Sequence, residues 1–264
     1  MAQQWERALV TGASSGIGRS IATQLAARGT DLVVVARRRS MLEDLARSLE
    51  TEHGAKVEIL AADLLADEGL DAVEARLRAA ERPIDLLVNN AGFGTFGSFH
   101  KLPIGRETDE IRLNVLTPVR LAHAALGAMA ERKRGGILNV SSTAGFQPMP
   151  FSATYCSTKS FLNTFSQALH EEAKAVGVHV SALCPGYVRT EFQDVAEVSA
   201  SAIPKFAWLD VEKVAALGIA AVDENRALAI TGGLYKFGVV LNRLLPRPTV
   251  RRMTAKGAAR RVTR

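Results

Sequence analysis

The stretch from Arg7 to Gly18 reads RALVTGASSGIG, and its punctuation decides the architecture. Residues of strand character run straight into glycines at 12, 16 and 18. The apolar spacing then changes to that of a helix in GIGRSIATQLAARG, which Gly29 closes. A strand, a glycine-rich turn and a helix start, in that order, leave helix N-terminal N–H groups free and let backbone approach a ligand closely. That arrangement suits the phosphates of a dinucleotide. The spacing is G-x-x-x-G-x-G rather than G-x-G-x-x-G. Taken alone it also fits a tight turn that binds nothing.

Working outward, the same alternation recurs. DLVVVA, KVEILAA, IDLLVNNAG, GGILNVSS, VHVSALCPG and a short RALAIT read as further strands, with helical patterns between them. SMLEDLARSLETEHG opens at Ser40, with Glu43 at capping-box distance, and closes at Gly54. Longer helical patterns run from about Thr108 to Arg132 and from about Ala153 to Val176. Nearly continuous apolar strands separated by helices predict an α/β fold. The expectation is one doubly wound, Rossmann-like domain with a parallel sheet of about seven strands, buried on both faces. The domain is expected over residues 1–232, with a substrate lid at about 191–210 and a basic, partly amphipathic extension over 233–264.

Composition bounds the function. The chain has 264 residues, 47% hydrophobic and 23% charged, enough to bury a sizeable core. No apolar run approaches the ~20 residues of a membrane span, and the first residues enter a strand without the pattern of a secretory leader. Cys156 and Cys184 have no metal-ligand spacing, and the five histidines are scattered, so no metal site is expected. A reducing, cytoplasmic setting is the simplest expectation. The net charge of +6 is concentrated at the end, where eight basic residues follow from Arg243 to Arg264 with no acid among them. The domain itself is not basic, which argues against nucleic acid as a partner.

The end of the second strand selects among dinucleotides. An acid is usual there when the ribose carries a free 2′-hydroxyl, yet this chain reads VVVARRRS. Three arginines at a helix start oppose the helix dipole, and a guanidinium fork suits a phosphate. NADP(H) is therefore expected, with Arg37 as the main 2′-phosphate ligand, Arg38 in support and Arg39 solvated.

These features combine with others in a fixed order: TGASSGIG, AADLL, NNAG, LNV, NVSS, YCSTK and LCPGYVRT. Together they resemble the short-chain dehydrogenase/reductase superfamily, in its shorter TGxxxGxG/YxxxK form, from roughly Arg7 to Phe192. The resemblance implies a catalytic set of Asn114, Ser142, Tyr155 and Lys159. It implies cofactor contacts from Gly12, Ser14, Ser15, Gly16, Ile17 and Gly18, then from Asp63 and Leu64 near the adenine. Asn90, Ala91 and Gly92 would follow at the end of strand four, then Tyr155 and Lys159 themselves. Pro185, Gly186, Val188 and Thr190 would stand near the nicotinamide. Ser141 and Ser142 cannot point the same way on a strand, and Ser141 is read as structural.

In the implied chemistry Tyr155 gives a proton to a carbonyl oxygen that Ser142 holds, Lys159 lowers the tyrosine pKa, and Asn114 holds a water that restores the proton. Phe146, Gln147, Met149, Phe151 and Tyr187 are candidates for an apolar substrate wall, with Phe192, Phe206 and Trp208 closing a lid over it. The same residues also fit ordinary packing. Two rivals remain: a non-catalytic NADP(H)-binding regulator, and an epimerase or dehydratase of the wider superfamily. The tail reads most plainly as a surface helix with a basic end. Contact with an anionic membrane surface, a subunit contact, or a flap near the substrate entrance are its alternatives. A homodimer or homotetramer is expected by resemblance alone.

Overall fold

The computed structural model describes residues 5–192 and 204–262. Seven parallel strands form the main sheet: β1 (Arg7–Thr11), β2 (Asp31–Ala36), β3 (Val57–Ala61), β4 (Leu86–Asn89), β5 (Gly135–Val140), β6 (Val178–Cys184) and, after a short pair described below, β9 (Leu228–Ile230). Their order is β3-β2-β1-β4-β5-β6-β9. The chain winds outward from β1 in one direction, then returns to β4 and winds in the other. The direction reverses between β1 and β4, and that switch point opens a crevice beyond the carboxyl ends of the strands. The pair β7 (Tyr187–Val188) and β8 (Trp208–Leu209) forms a separate parallel ribbon that the sequence pattern did not disclose, because two residues are too few for a period.

Eight of the helices flank the sheet or follow it: α1 (Gly16–Ala26), α2 (Arg39–His53), α3 (Asp67–Arg78), α4 (Ile104–Ile111), α5 (Thr117–Arg132), α6 (Ala153–Lys174), α7 (Val211–Asp223) and α8 (Gly233–Leu244), with α9 (Arg247–Val262) last among the described residues. Strand alternation splits the core into two layers. Ala8, Val10, Leu32, Val34, Leu86 and Val88 pack toward Ile21, Leu25 and Ile219 of α1 and α7. Leu9, Val33, Val35, Leu87, Ile137 and Val180 pack toward Leu70, Val73, Leu121 and Met129 of α3 and α5. Both layers are almost fully dry, which is why the strands read as unbroken apolar runs.

Two boundaries differ from expectation. Helix α2 starts at Arg39 and Arg38 takes the cap position, so Ser40 lies inside the first turn and makes no capping box. Its other end is as read: Gly54 adopts the left-handed conformation, and its N–H reaches Glu50 O at 3.0 Å. The long helical pattern near Thr108 starts earlier, at Ile104, and a π-helical segment from Arg112 to Leu116 divides it into α4 and α5.

Candidate active site

The strand ends at the switch point open into a cavity of about 540 Å³. Its first wall is the turn after β1. Asn90 Nδ2 donates to Thr11 O and Gly12 O at 2.9 and 3.2 Å, while the N–H groups of Asn90 and Ala91 donate to Thr11 Oγ1. The turn is thus fastened to the end of β4. Gly18 completes the fastening, because a Cβ there would lie 2.4 Å from Asn90 Nδ2 and 2.5 Å from Gly12 O. The helix start behind it suits an anion, and the Glu191 carboxylate already reaches Ser15 there. Ser15, at the cap, makes no side-chain cap bond, and the first turn of α1 has no acid.

Gly12, Ser14, Ser15, Gly16 and Ile17 line this wall, with Arg37, Arg38, Asp63, Leu64, Asn90, Ala91 and Gly92 continuing it. The two arginines differ. Arg37 is exposed at the cavity edge. Arg38 Nη2 is bound to Glu191 Oε2 at 2.7 Å and to Ser14 Oγ at 3.2 Å, so it bridges the first turn to the start of the expected lid. That ion pair holds the Glu191 carboxyl below its usual range. Glu191 was not singled out in the sequence. Arg39 pairs with Glu43 on its own helix at 3.9 Å and stays solvated, as read.

Ser142, Tyr155 and Lys159 meet on the floor. Ser142 stands two residues beyond β5, accepts from Ala144 N at 3.1 Å and shares a hydrogen bond with the Tyr155 hydroxyl. The next residue back has the structural role expected of it: Ser141 Oγ donates to Lys159 O at 3.0 Å, pinning α6 against β5. Tyr155 lies between the rings of Phe96 and Phe192, with centroids 5.8 and 5.5 Å away. Lys159 Nζ stands 5.8 Å from the Tyr155 ring centroid and donates to Val140 O at 3.0 Å.

Electrostatics at the floor depart from the sequence reading in one respect. Burial pushes the Tyr155 pKa above the ordinary tyrosine range, against the pull of its bond to Ser142. Burial also pushes Lys159 down to about 8. Desolvation disfavours both charged forms in this buried site, and the pull on the tyrosine comes from Ser142 rather than from the lysine. Tyr155 therefore carries its proton at neutral pH, the state required of an acid.

Asn114 does not line the cavity. It is buried behind the floor in the π-helical segment, with Nδ2 donating to Phe93 O at 2.8 Å and Thr158 Oγ1 at 3.2 Å, and Oδ1 accepting from Phe93 N. The bend frees the backbone there and turns the asparagine inward. A narrow space lined by Asn114, Asn89 and Lys159 lies next to it. Two acids on the same side escaped the sequence reading. Glu107 accepts from the Thr154 hydroxyl beside Tyr155. Glu110 accepts from Thr95 N and Oγ1 at 2.9 and 2.6 Å. Both are buried, and burial pushes Glu110 up to about 7. Their signal was available: positions 107, 110 and 114 share one helix face.

The opposite wall consists of Pro185, Gly186, Val188 and Thr190, as expected, with Gln147, Met149, Tyr187 and Phe192. Phe146 and Phe151 are not part of it. Helix α8 supplies what the sequence did not assign: Leu234, Tyr235, Gly238, Val239 and Asn242. Tyr235 OH donates to Ala207 O at 2.7 Å and accepts from Tyr187 N at 3.1 Å. Its ring sits so close that a Cβ on Gly186 would lie 2.2 Å away. Asn242 bonds to the Gln147 side chain. The expected lid falls in large part on residues 193–203, outside those described. Of its three aromatic residues, Phe192 lines the cavity, Trp208 packs against Tyr187, and Phe206 points away and is 78% exposed.

Comparison with known proteins gives this arrangement a family. The short chain dehydrogenase profile matches residues 6–199. A very-long-chain 3-oxoacyl-CoA reductase of Rattus norvegicus is 34% identical over 194 residues, 72% of this chain but 62% of the rat protein, so the match spans less than two thirds of that relative. Among solved structures, a short-chain dehydrogenase from Sphingobium yanoikuyae in complex with NADPH aligns with a TM-score of 0.83 at 33% identity, covering 90% of this chain and 93% of that one. The bulky-bulky ketone specific alcohol dehydrogenase from Comamonas testosteroni aligns with a TM-score of 0.79 at 31% identity, covering 92% and 93%. The chain belongs to the short-chain dehydrogenase family of oxidoreductases.

Proposed function

We propose that the protein is an NADPH-dependent reductase of bulky, apolar ketones or aldehydes. The observation that carries this reading is the Ser142–Tyr155 hydroxyl pair, beside Lys159, on the floor of a cavity that begins at the glycine turn. The residues present fit the cofactor. The start of α1 suits a pyrophosphate, and Arg37 stands at the cavity edge where a 2′-phosphate would be held. The Sphingobium relative was solved with NADPH. When bound, NADPH supplies the hydride.

The chain's own residues do the rest. Ser142 Oγ and Tyr155 OH converge on one point and hold the substrate oxygen there by two hydrogen bonds. Tyr155 gives its proton as charge develops on that oxygen. Lys159 offers its ammonium to the phenolate that is left, and Asn114 holds the helix bend behind it open toward the narrow space next to Lys159. Phe96, Phe192, Tyr187, Met149 and Val239 exclude water from the reacting centre and favour an apolar carbonyl compound. A ketone flanked by two large groups is in keeping with the bulky-ketone enzyme among the structural relatives. The test is NADPH oxidation against a panel of ketones and aldehydes graded by size, with Tyr155→Phe as control. Tight NADPH binding without turnover across the panel would sink the proposal and favour a regulator.

A further inference from the structure

We propose that α8 and the start of α9 form a docking face for an anionic lipid bilayer, placed beside the mouth of the active-site cavity. Helix α8 has two apolar sides. One carries Tyr235, Gly238, Val239 and Asn242 against the cavity. The other carries Phe237, Val240, Leu241 and Leu244, at intervals of three and four, and it faces solvent, with Phe237 67% and Leu244 77% exposed. Leu234 joins the two sides: it lines the cavity and is itself largely exposed.

Charge identifies the occupant. From Asn225 to the end the chain has no acid, and Lys236, Arg247, Arg251 and Arg252 are exposed on or just after the apolar stripe. An apolar helix face edged by lysine and arginine is the arrangement that lies in a lipid interface, with the apolar side among acyl chains and the cations among phosphates. A second copy is the poorer fit. A two-fold contact through this face would set these cations against their own copies, with no acid on α8 or α9 to offset them. No described helix is long and apolar enough to cross a membrane, so the contact is peripheral.

The placement has a consequence that rests on the proposed function. A lipophilic carbonyl compound dissolved in the bilayer would enter past Leu234 without crossing water. The docking itself does not rest on that reading, and flotation, its readout, needs no substrate turnover.

The experiment is flotation of the full-length protein with vesicles. Phosphatidylcholine vesicles containing about 30% phosphatidylglycerol should carry the protein to the top, and pure phosphatidylcholine should not. Salt at about 0.5 M should release it. Phe237→Asp combined with Leu244→Asp should lower the bound fraction at least about 10-fold, while light scattering shows an unchanged oligomeric state and NADPH titration an unchanged affinity. Absence of flotation with the anionic vesicles overturns the proposal. So does equal flotation with both vesicle types, which removes the role of charge. If the double variant dissociates an oligomer that the parent forms, the face belongs to a second copy and the proposal fails.

Discussion

On the β1 side of the cavity the wall is backbone held by backbone and by short side chains: Thr11, Asn90 and Gly18 lock one turn to the neighbouring strand. On the α8 side it is made of rings, Tyr187 and Tyr235 set edge to face with Trp208 behind Tyr187, and the Tyr235 hydroxyl ties Tyr187 to Ala207. The first wall tolerates almost no change of shape, since its spacing is set by close approaches of atoms along the strands. The second can change with every ring substituted. A site built in this way keeps its cofactor constant and lets its substrate vary, and the two walls meet at Tyr155.

The sharpest way to break the comparison is at the meeting point. Tyr155→Phe keeps the ring between Phe96 and Phe192 and deletes the acid. Turnover should fall by about 1,000-fold while NADPH affinity, read by fluorescence titration, changes little. A comparable loss of NADPH binding would mean that the two walls do not separate as described.

The next effect belongs to the rigid wall. Arg37→Ala should weaken NADPH about 30-fold, from the loss of charge-assisted bonds to phosphate, and leave NADH unchanged. Arg38→Ala should do less, since its guanidinium already has Glu191 and Ser14 as partners. Paired titrations of both cofactors on both variants decide the matter. Equal losses for the two arginines would contradict the assignment.

The shared floor gives a pH-dependent prediction. The Glu110 carboxyl, at 4.5 when unfolded and about 7 when folded, favours the folded state in its protonated form. That contribution is complete below pH 4.5 and is lost as pH rises through 7. Glu110→Gln keeps the shape and the acceptor for Thr95. It should therefore stabilise the protein by about 1–2 kcal/mol at pH 8 and have little effect at pH 4.5. Urea unfolding at the two pH values measures it, and the same gain at both would remove the burial of charge as its cause.

The smallest effect lies on the aromatic wall. Tyr235→Phe removes the hydroxyl shared by Tyr187 and Ala207. KM for a bulky ketone should rise about 3-fold with kcat and NADPH affinity kept, as expected when only substrate-side packing loosens. Steady-state kinetics with a large and a small ketone would show whether the wall discriminates by size.

The two walls also differ in how far the sequence discloses them. The glycine turn, the strand ends and the YCSTK helix are local: each depends on residues within one or two turns of one another, so spacing is enough to find them. Arg37 was legible for the same reason, as a cation at a strand end where an acid is usual. Tyr235 was not, because its partners are at 187 and 207 and its contact with Gly186 depends on where α8 returns to the sheet. Glu107 and Glu110 were hidden by a different bias. Acids in a helix are read as solvated, and only the packing of α4 against α6 buries them. The lost capping box at Ser40 shows the limit of a local signal, since backbone geometry moved the cap two residues upstream, to Arg38.

The bridge from Arg38 to Glu191 makes the protein a competitor of its own ligand. A carboxylate occupies a guanidinium beside the turn where phosphates are expected. An arriving 2′-phosphate that draws on Arg38 must exchange with Glu191, anion for anion, and the measured affinity is the difference between the two attachments. The displaced glutamate then no longer ties the segment after Thr190 to the first turn. Filling that end of the cavity and freeing Glu191 from Arg38 become a single event, and its size can be adjusted at one acid.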